Sequence, residues 1–517
     1  MKKVARGTSL WLICFMLVLS ACGNGNNGGS ESPGSSAPAN SSASGESGEK
    51  PSSGKIEELT VAFPVVTADQ HGLQMVQDEI NKIAEAKIQA RVKFVPVNAG
   101  EWLQRTNLMF SSNEKLDLTY VHGGMYSNMV AKGMLAPLDD LIVQYGGGIS
   151  ASMDAKYLNA TRINGKAYSV PSVRDMAGSY GLVMRKDLVD KYGIDVNAIK
   201  TLDDVGNVLK QIKENEPGVV PLVPGASGQS FRDSYIFFDP LGDFMGVLPN
   251  YDNGLKVVNM FEMPEYQDFV KRIRDWYQAG YILKDAATNK VATFELIRSG
   301  KAFAYTAMQK PGFAAQESKS SGTEMVAVEL LPPVSTTTNI TAAMWGIPVQ
   351  SQLQDKAMQF LNLMYEDKDI VNLFDWGVEG THYVKADGSD NIIQYPEGKD
   401  ASSVGYSSLA WMFGNQFLSR IMKNNDPEIW EKTKQFNNVA TSSKALGFLF
   451  DSSEVKTEYA AVSNVITQYK LPLETGSVDP DKQLPDLIAK LKAAGIDKII
   501  AEKQKQLDEW AKVNGVN

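Results

Sequence analysis

The chain predicts an α/β fold, lobes of mixed strand and helix with a helix-rich C-terminal portion. Three observations carry this reading. Buried-type runs such as Leu59 to Val66 alternate with stretches whose apolar residues recur at helical spacing. The alternation strand, helix, strand, helix, strand over residues 59 to 121 suits parallel βαβ units. From Pro427 onward the signals are almost all helical.

Lys2, Lys3 and Arg6 form a positive head, Leu10 to Leu19 is apolar apart from Cys14, and small residues precede Cys22. That order is a secretory signal. Leu19-Ser20-Ala21-Cys22 resembles the bacterial lipobox, in which cleavage leaves the cysteine as a lipid-bearing N-terminus. An ordinary signal with a coincidental cysteine, or a short membrane helix, is the competing reading, but the apolar run is half the ~20 residues a spanning helix needs. Residues 1–21 are thus expected to be a signal peptide. Residues 22–55 are a lipidated cysteine and a disordered Gly/Ser/Asn-rich tether, because Gly23 to Gly54 contains no aromatic residue and nothing aliphatic larger than Ala. Such a tether has a reach on the order of 30 Å.

Leu59 to Val66 reads as a buried strand, and Leu73, Val76, Ile80 and Ile83 give the face of a helix. Val92 to Val97 is a second strand, Trp102 to Phe110 a helix, and Leu116 to Val121 a third strand. Gly146-Gly147-Gly148 reads as a loop without a following helix. Ala167 to Ser172 and Tyr180 to Met184 are strands that either pair locally or cross between lobes. Thr201, with Asp204 three residues on, looks like a capped helix start, and Pro217-Gly218 ends that helix. A stronger helix runs from Pro264 to Ala279 with Gly280 as its C-cap. Phe294 to Arg298 follows as a helix and Ala302 to Thr306 as a strand. Ser335 to Thr338 is a polar Thr-rich link, Met344 to Val349 a strand, and Asp355 to Trp376 one long helix ending at Gly377. Helical signals at Pro427 to Phe436, Glu454 to Tyr469, Lys482 to Ala494 and Asp497 to Val513 complete the chain, with Gly495 breaking the last two.

Composition narrows the chemistry. Removing Met1 to Ala21 takes Cys14 with it and leaves Cys22 as the only cysteine, which excludes an internal disulfide and a thiolate metal site. Losing Lys2, Lys3 and Arg6 moves the formal charge of −9 to −12. An acidic chain without basic runs is a poor candidate for nucleic-acid binding, which needs clustered Lys and Arg. No phosphate loop, dinucleotide fingerprint, HExxH or Gly-x-Ser-x-Gly motif occurs. His71, His122 and His382 lie far apart, so no metal or other cofactor is expected. Asp139-Asp140 and Asp203-Asp204 sit at helix starts, where carboxylates cap and complement the dipole. Trp276 and Trp510 fall on apolar helix faces. Trp345, Trp376 and Trp411 lie near loops, where a flat ring either packs inside or stacks on a sugar.

Several segments in this order carry a resemblance: Val130 to Ile142, Ile163 to Ser172, Tyr180 to Ile194, Thr201 to Gly218, Phe294 to Thr306, Met344-Trp-Gly-Ile-Pro-Val-Gln350, Trp411-Met-Phe-Gly-Asn-Gln-Phe-Leu418 and Leu473 to Ala489. Together they resemble the extracellular solute-binding proteins, family 1, the lipoprotein components of carbohydrate ABC importers in Gram-positive bacteria. The portion from Trp411 to Trp510 is similar to the extension of a large-bodied subgroup.

The resemblance implies a two-lobed periplasmic-binding-protein-like fold of type II, with a ligand cleft between lobes joined by about three crossovers. It places residues 56–172 plus 341–394 in lobe 1 and 173–340 plus 395–517 in lobe 2. Pro171 to Asp175 would be the first crossover and Ser335 to Ala343 the second. It implies a non-enzymatic receptor on the outer face of the cell membrane that binds an oligosaccharide and hands it to the transmembrane subunits of an ABC permease. The receptor would be a monomer, held to the membrane by the lipid on Cys22 alone. Strand ends and crossovers then nominate Asp69, Gln70, His122, Tyr126, Arg174, Asp175, Gln309, Lys310, Trp345, His382, Trp411 and Asn415 as ligand-binding residues. The alternatives are a surface-tethered carbohydrate-active enzyme, marked by two carboxylates facing across a cleft, or a receptor for peptides or another small solute.

Overall fold

The computed structural model describes residues 55–66, 71–386 and 388–516. The signal, Cys22, the tether, and the loop that carries Asp69 and Gln70 lie outside the described residues. The strands that position the site are β1 (Glu57–Val65), β2 (Ala90–Asn98), β3 (Leu118–Val121), β4 (Val170–Pro171), β5 (Gly178–Arg185), β6 (Val220–Val223), β7 (Ala302–Gln309), β8 (Met325–Ser335), β9 (Met344–Gly346) and β10 (Thr441–Ser442). The helices that matter are α1 (Leu73–Ile88), α2 (Gly123–Ala131), α3 (Leu202–Asn215), α4 (Thr337–Thr341), α5 (Gln354–Glu366), α6 (Lys368–Trp376), α7 (Ile429–Val439), α8 (Lys456–Glu474), α9 (Pro480–Ala494) and α10 (Ile496–Asn514).

One sheet has the order β2-β1-β3-β9-β4. β1 is parallel to both neighbours, as the βαβ spacing requires, and β9 runs antiparallel to β3 and β4. Seven consecutive buried residues in β1, Leu59 to Val65, mark it as the covered centre of that sheet. Helix α1 lays Val76, Ile80, Ala84 and Ile88 on it, one per turn. The second sheet has the order β10-β8-β5-β7-β6, with β5 antiparallel to β7 and β8. Helix α3 covers this lobe and starts with the expected reciprocal cap between Thr201 and Asp204.

Each sheet has its own hydrophobic core. Val61, Phe63, Phe94, Trp345, Phe374 and Phe413 belong to the first, with the Phe374 and Phe413 rings stacked 4.4 Å apart. Leu182, Leu209, Phe231, Tyr266, Trp276, Leu487 and Ile499 belong to the second. Tyr406, Met412 and Phe413 pack into the first core, so the chain stays with lobe 1 beyond residue 394, where the sequence places the change of lobe.

Two local expectations are corrected. Asp355 to Trp376 is two helices, not one, because Asp367 leaves the helical conformation (φ −94°, ψ 108°) to cap α6 through the amides of Asp369 and Ile370 while pairing with Lys87 at 2.6 Å. Gly146 to Gly148 leads into a short helix, Gly147–Ser152. A Cβ on Gly148 would lie 2.5 Å from a Glu366 oxygen, so this close approach needs glycine.

Three segments connect the lobes. Residues 172–177 lead from β4 to β5, so these strands cross rather than pair. Residues 336–343 lead from β8 through α4 to β9, and residues 415–440 lead through α7 to β10. They are tied side by side. Val173 accepts from the Gln416 amide (2.9 Å) and donates to Gly414 (2.8 Å). Buried Asn437 on α7 accepts from the Met176 amide (2.8 Å) and donates to the Arg174 carbonyl (2.7 Å). Ser335 donates to the Met176 carbonyl at 2.9 Å. Among the described residues no helix is long and apolar enough to cross a membrane.

Candidate functional site

Two adjoining cavities lie along the first and second of these crossing segments. The first, about 410 Å³, is floored by the second sheet through Tyr180, Thr306 and Met308. Its walls are Arg174 and Asp175 from the first crossing, Thr336, Thr338 and Asn339 from the second, and an aromatic loop bearing Phe238, Phe244 and Tyr251. The second cavity, about 320 Å³, shares Gly242, Thr338 and Ala342 with the first. It opens against lobe 1 at His122 to Asn128 and against the C-terminal segment at Phe450 and Tyr459. Both volumes fall within the roughly 300–1,000 Å³ of small-molecule sites.

The lining is built from local sequence. Thr336 caps α4 reciprocally with Asn339, which fixes the crossing beside the cavity. His122, at the carboxyl end of β3, caps α2 by accepting the Gly124 amide on Nδ1 at 3.1 Å. Desolvation by the surrounding walls lowers its pKa from the ordinary value, in keeping with an imidazole that serves as an acceptor. Gly123 lets α2 approach α4: a Cβ there would lie 2.4 Å from Thr341 Oγ1. The aromatic loop is strained. Leu241, Phe244, Asn250, Tyr251, Asn253 and Leu255 all have positive φ, a conformation that costs a non-glycine residue on the order of 1–3 kcal/mol.

Carboxylates that face the cavities already have partners. Asp175 pairs with Arg174 at 3.0 Å and with Lys310 at 3.5 Å. Asp233 pairs with Arg232 at 3.0 Å and with Lys470 at 2.7 Å. Burial pushes the Asp233 pKa up, but Arg232, Lys470 and the Ser230 amide together hold it below its ordinary value. Asp243 takes the ammonium of Lys503, and Asp451 caps Ser453. Arg232 is 2% exposed, bound to Asp233 and Glu474 and lying 4.1 Å from the Phe244 ring centre. Among the described residues no cluster of three or more His, Cys, Asp or Glu could hold a metal ion.

The nominated residues divide clearly. Arg174 and Asp175 line the first cavity and His122 the second. Lys310 joins them through Asp175, and the Trp411 indole lies 5.7 Å from the Arg174 guanidinium carbon. Of the other described ones, Tyr126, Gln309, Trp345, His382 and Asn415 are enclosed by packing and by hydrogen bonds within the protein. Trp345 is 0% exposed and donates to the Met412 carbonyl, so its ring offers no free face. Tyr126 is equally enclosed and donates to the Thr161 carbonyl. Gln309 is buried against the Leu182 and Val328 carbonyls, and Asn415 caps Phe417 and donates to the Tyr365 carbonyl. His382 is 3% exposed, with Nδ1 accepting the Val378 amide at 2.8 Å. Phe238, Phe244, Tyr251, Phe450 and Tyr459 were not nominated. The first three lie in a stretch where aromatics interleave with Gly, as they do around Trp411, and also with Pro and Asp.

Residues 74–370 match the model of the bacterial extracellular solute-binding protein family, and residues 444–512 match a domain of unknown function, DUF3502. A carbohydrate ABC transporter substrate-binding protein of Streptococcus pneumoniae serotype 4 (strain ATCC BAA-334 / TIGR4) is 30% identical over 447 residues, 84% of this chain and 87% of that protein. The crystal structure of the N-glycan transport solute binding protein NgtS from Streptococcus pneumoniae superposes with a TM-score of 0.79 at 28% identity, covering 88% of this chain and 99% of NgtS. NgtS in complex with Man5GlcNAc, over the same shares of both chains and at the same identity, gives 0.68.

Proposed function

The chain belongs to the bacterial extracellular solute-binding proteins, and on that premise we propose that it is a lipid-anchored receptor that captures an oligosaccharide between its lobes and delivers it to an ABC permease. The observation that carries this reading is the pair of adjoining cavities along the first and second crossing segments, lined by aromatic rings and by Thr, Ser and Asn side chains. Rings stack on the apolar faces of sugars, and hydroxyl and amide groups pair with sugar hydroxyls. The names of the relatives point to carbohydrate as well. The lower TM-score against the Man5GlcNAc complex fits lobes that stand apart here and close around ligand.

Binding without turnover is the better reading of the carboxylates. Glycoside hydrolysis needs one acid kept protonated by a raised pKa opposite a free carboxylate. Asp175, Asp233 and Asp243 are instead each paired with a cation. Delivery follows from anchoring: a lipid on Cys22 and a tether on the order of 30 Å keep a closed receptor within reach of its permease. Cys22→Ala is expected to release the protein from cells with binding intact, and retention at the surface would overturn the anchor.

The test is a thermal-shift screen of the purified protein against oligosaccharides, with Man5GlcNAc first. Glycan at 100 times its Kd should add about 2.7 kcal/mol to the folded state, and the sugar should be recovered intact. No shift with any oligosaccharide, or recovery of cleaved sugar, would contradict this reading.

A further inference from the structure

The segment 444–512, which matches a domain of unknown function, is built into the second cavity. Phe448 to Ser453, Lys456 and Tyr459 line that cavity opposite His122, Ser127 and Asn128 of lobe 1. The same segment holds the strained loop that separates the two cavities. Lys503 of α10, 0% exposed, donates to Asp243 and to the Gly246 carbonyl (3.2 Å). Gln504 accepts the Val257 amide at 2.8 Å and donates to the Leu255 carbonyl at 3.0 Å. The Lys444 amide donates to Tyr251 at 2.8 Å. Lys503 also lies 4.8 Å from the Phe450 ring centre, and the Asp243 carboxylate acts electrostatically on the Tyr459 hydroxyl, so one buried cation and one carboxylate sit beside the two rings.

We propose that residues 444–512 are a cleft-wall module whose Phe450 and Tyr459, with Asp243, form a distal sugar subsite facing Ser127 and Asn128. The proposal rests on the reading of the first cavity as the proximal sugar site. Two flat rings, a carboxylate, the hydroxyls of Ser127 and Thr338 and the amide of Asn128 offer the stacking faces and hydrogen-bond partners that a pyranose needs. The subsite is continuous with the proximal cavity through Gly242, Thr338 and Ala342, so it would hold sugar units that a short ligand does not reach. The module therefore sets a preference for chain length. Lys503 acts through Asp243 as a positioning residue.

The experiment titrates the purified protein with mannose oligosaccharides of two to six units, including Man5GlcNAc, and compares wild type with Tyr459→Ala, Phe450→Ala and Asn128→Trp. Asn128 is exposed on α2 in the other lobe, so the tryptophan occupies the subsite while the sequence of the C-terminal module stays unchanged. All three variants should lose tenfold or more in affinity for the longest glycan that wild type binds, while affinity for the shortest stays within twofold. Tyr459→Phe, which keeps the ring, should retain most of the long-chain affinity. Equal loss for long and short glycans in Asn128→Trp, or no loss for long glycans in any of the three, would overturn the distal subsite. If wild type binds none of the glycans, the proximal reading fails, and the subsite falls with it.

Discussion

At the scale of the residue, the crossings are organised by Arg174. Its guanidinium spans Asp175, the Asn339 carbonyl and the face of Trp411, while its own carbonyl is held by Asn437. Trp411→Ala removes the surface on which Arg174 rests and should weaken oligosaccharide binding by about 1 kcal/mol or more by calorimetry. An unchanged affinity would take Trp411 out of the site. His382 gives a separate prediction for stability. Burial lowers its pKa from the ordinary 6.5, so the unfolded chain takes up the proton first as pH falls. The stabilisation from a neutral His382 is present above pH 6.5 and is lost as pH drops through the folded value. In denaturant titrations between pH 7 and pH 5, His382→Gln should flatten that loss, and an unaltered slope would show that other groups set it. These residues also show the limit of sequence reading. Trp345 and Trp411 both sit near loops in aromatic, Gly-containing stretches, and only tertiary packing sends one into the core and leaves the other beside the cleft.

At the scale of the element, the crossing segments and α10 are fixed by buried hydrogen bonds. Asn437→Ala would orphan the buried Met176 amide and the Arg174 carbonyl and should cost about 1–3 kcal/mol in chemical denaturation. A loss below ~0.5 kcal/mol would mean that water replaces the side chain. Lys503→Met keeps the buried stem, leaves Asp243 and the Gly246 carbonyl without their cation, and should lower stability by a similar amount. Elements were the most legible level of the sequence. The apolar run of β1, the Thr201–Asp204 cap and the helices flanking Gly495 are written in local patterns. The break at Asp367 is not, because apolar residues at helical spacing resume at Ile370 after the charged run Glu366 to Asp369, and what divides the helices is a cap and a distant Lys87. The C-terminal helices were likewise readable as helices but not as a wall of the cleft. Their link to the loop at 241–257 spans some 250 residues of sequence.

At the scale of the molecule, two cores joined by three hydrogen-bonded crossings make a body that can move as two rigid parts. Gly123 sits where those parts meet. Gly123→Ala would push α2 away from Thr341, and small-angle scattering of the unliganded protein should report altered lobe spacing with both cores intact. Unchanged scattering and ligand affinity would mean that the contact does not set that spacing. The central claim, capture of an oligosaccharide without chemistry, is tested most directly by a calorimetric titration of the purified protein with Man5GlcNAc and related glycans. A saturable one-to-one heat that stops once the protein is full is expected. Absence of binding across the panel, or a steady heat of turnover that continues past saturation, would contradict it.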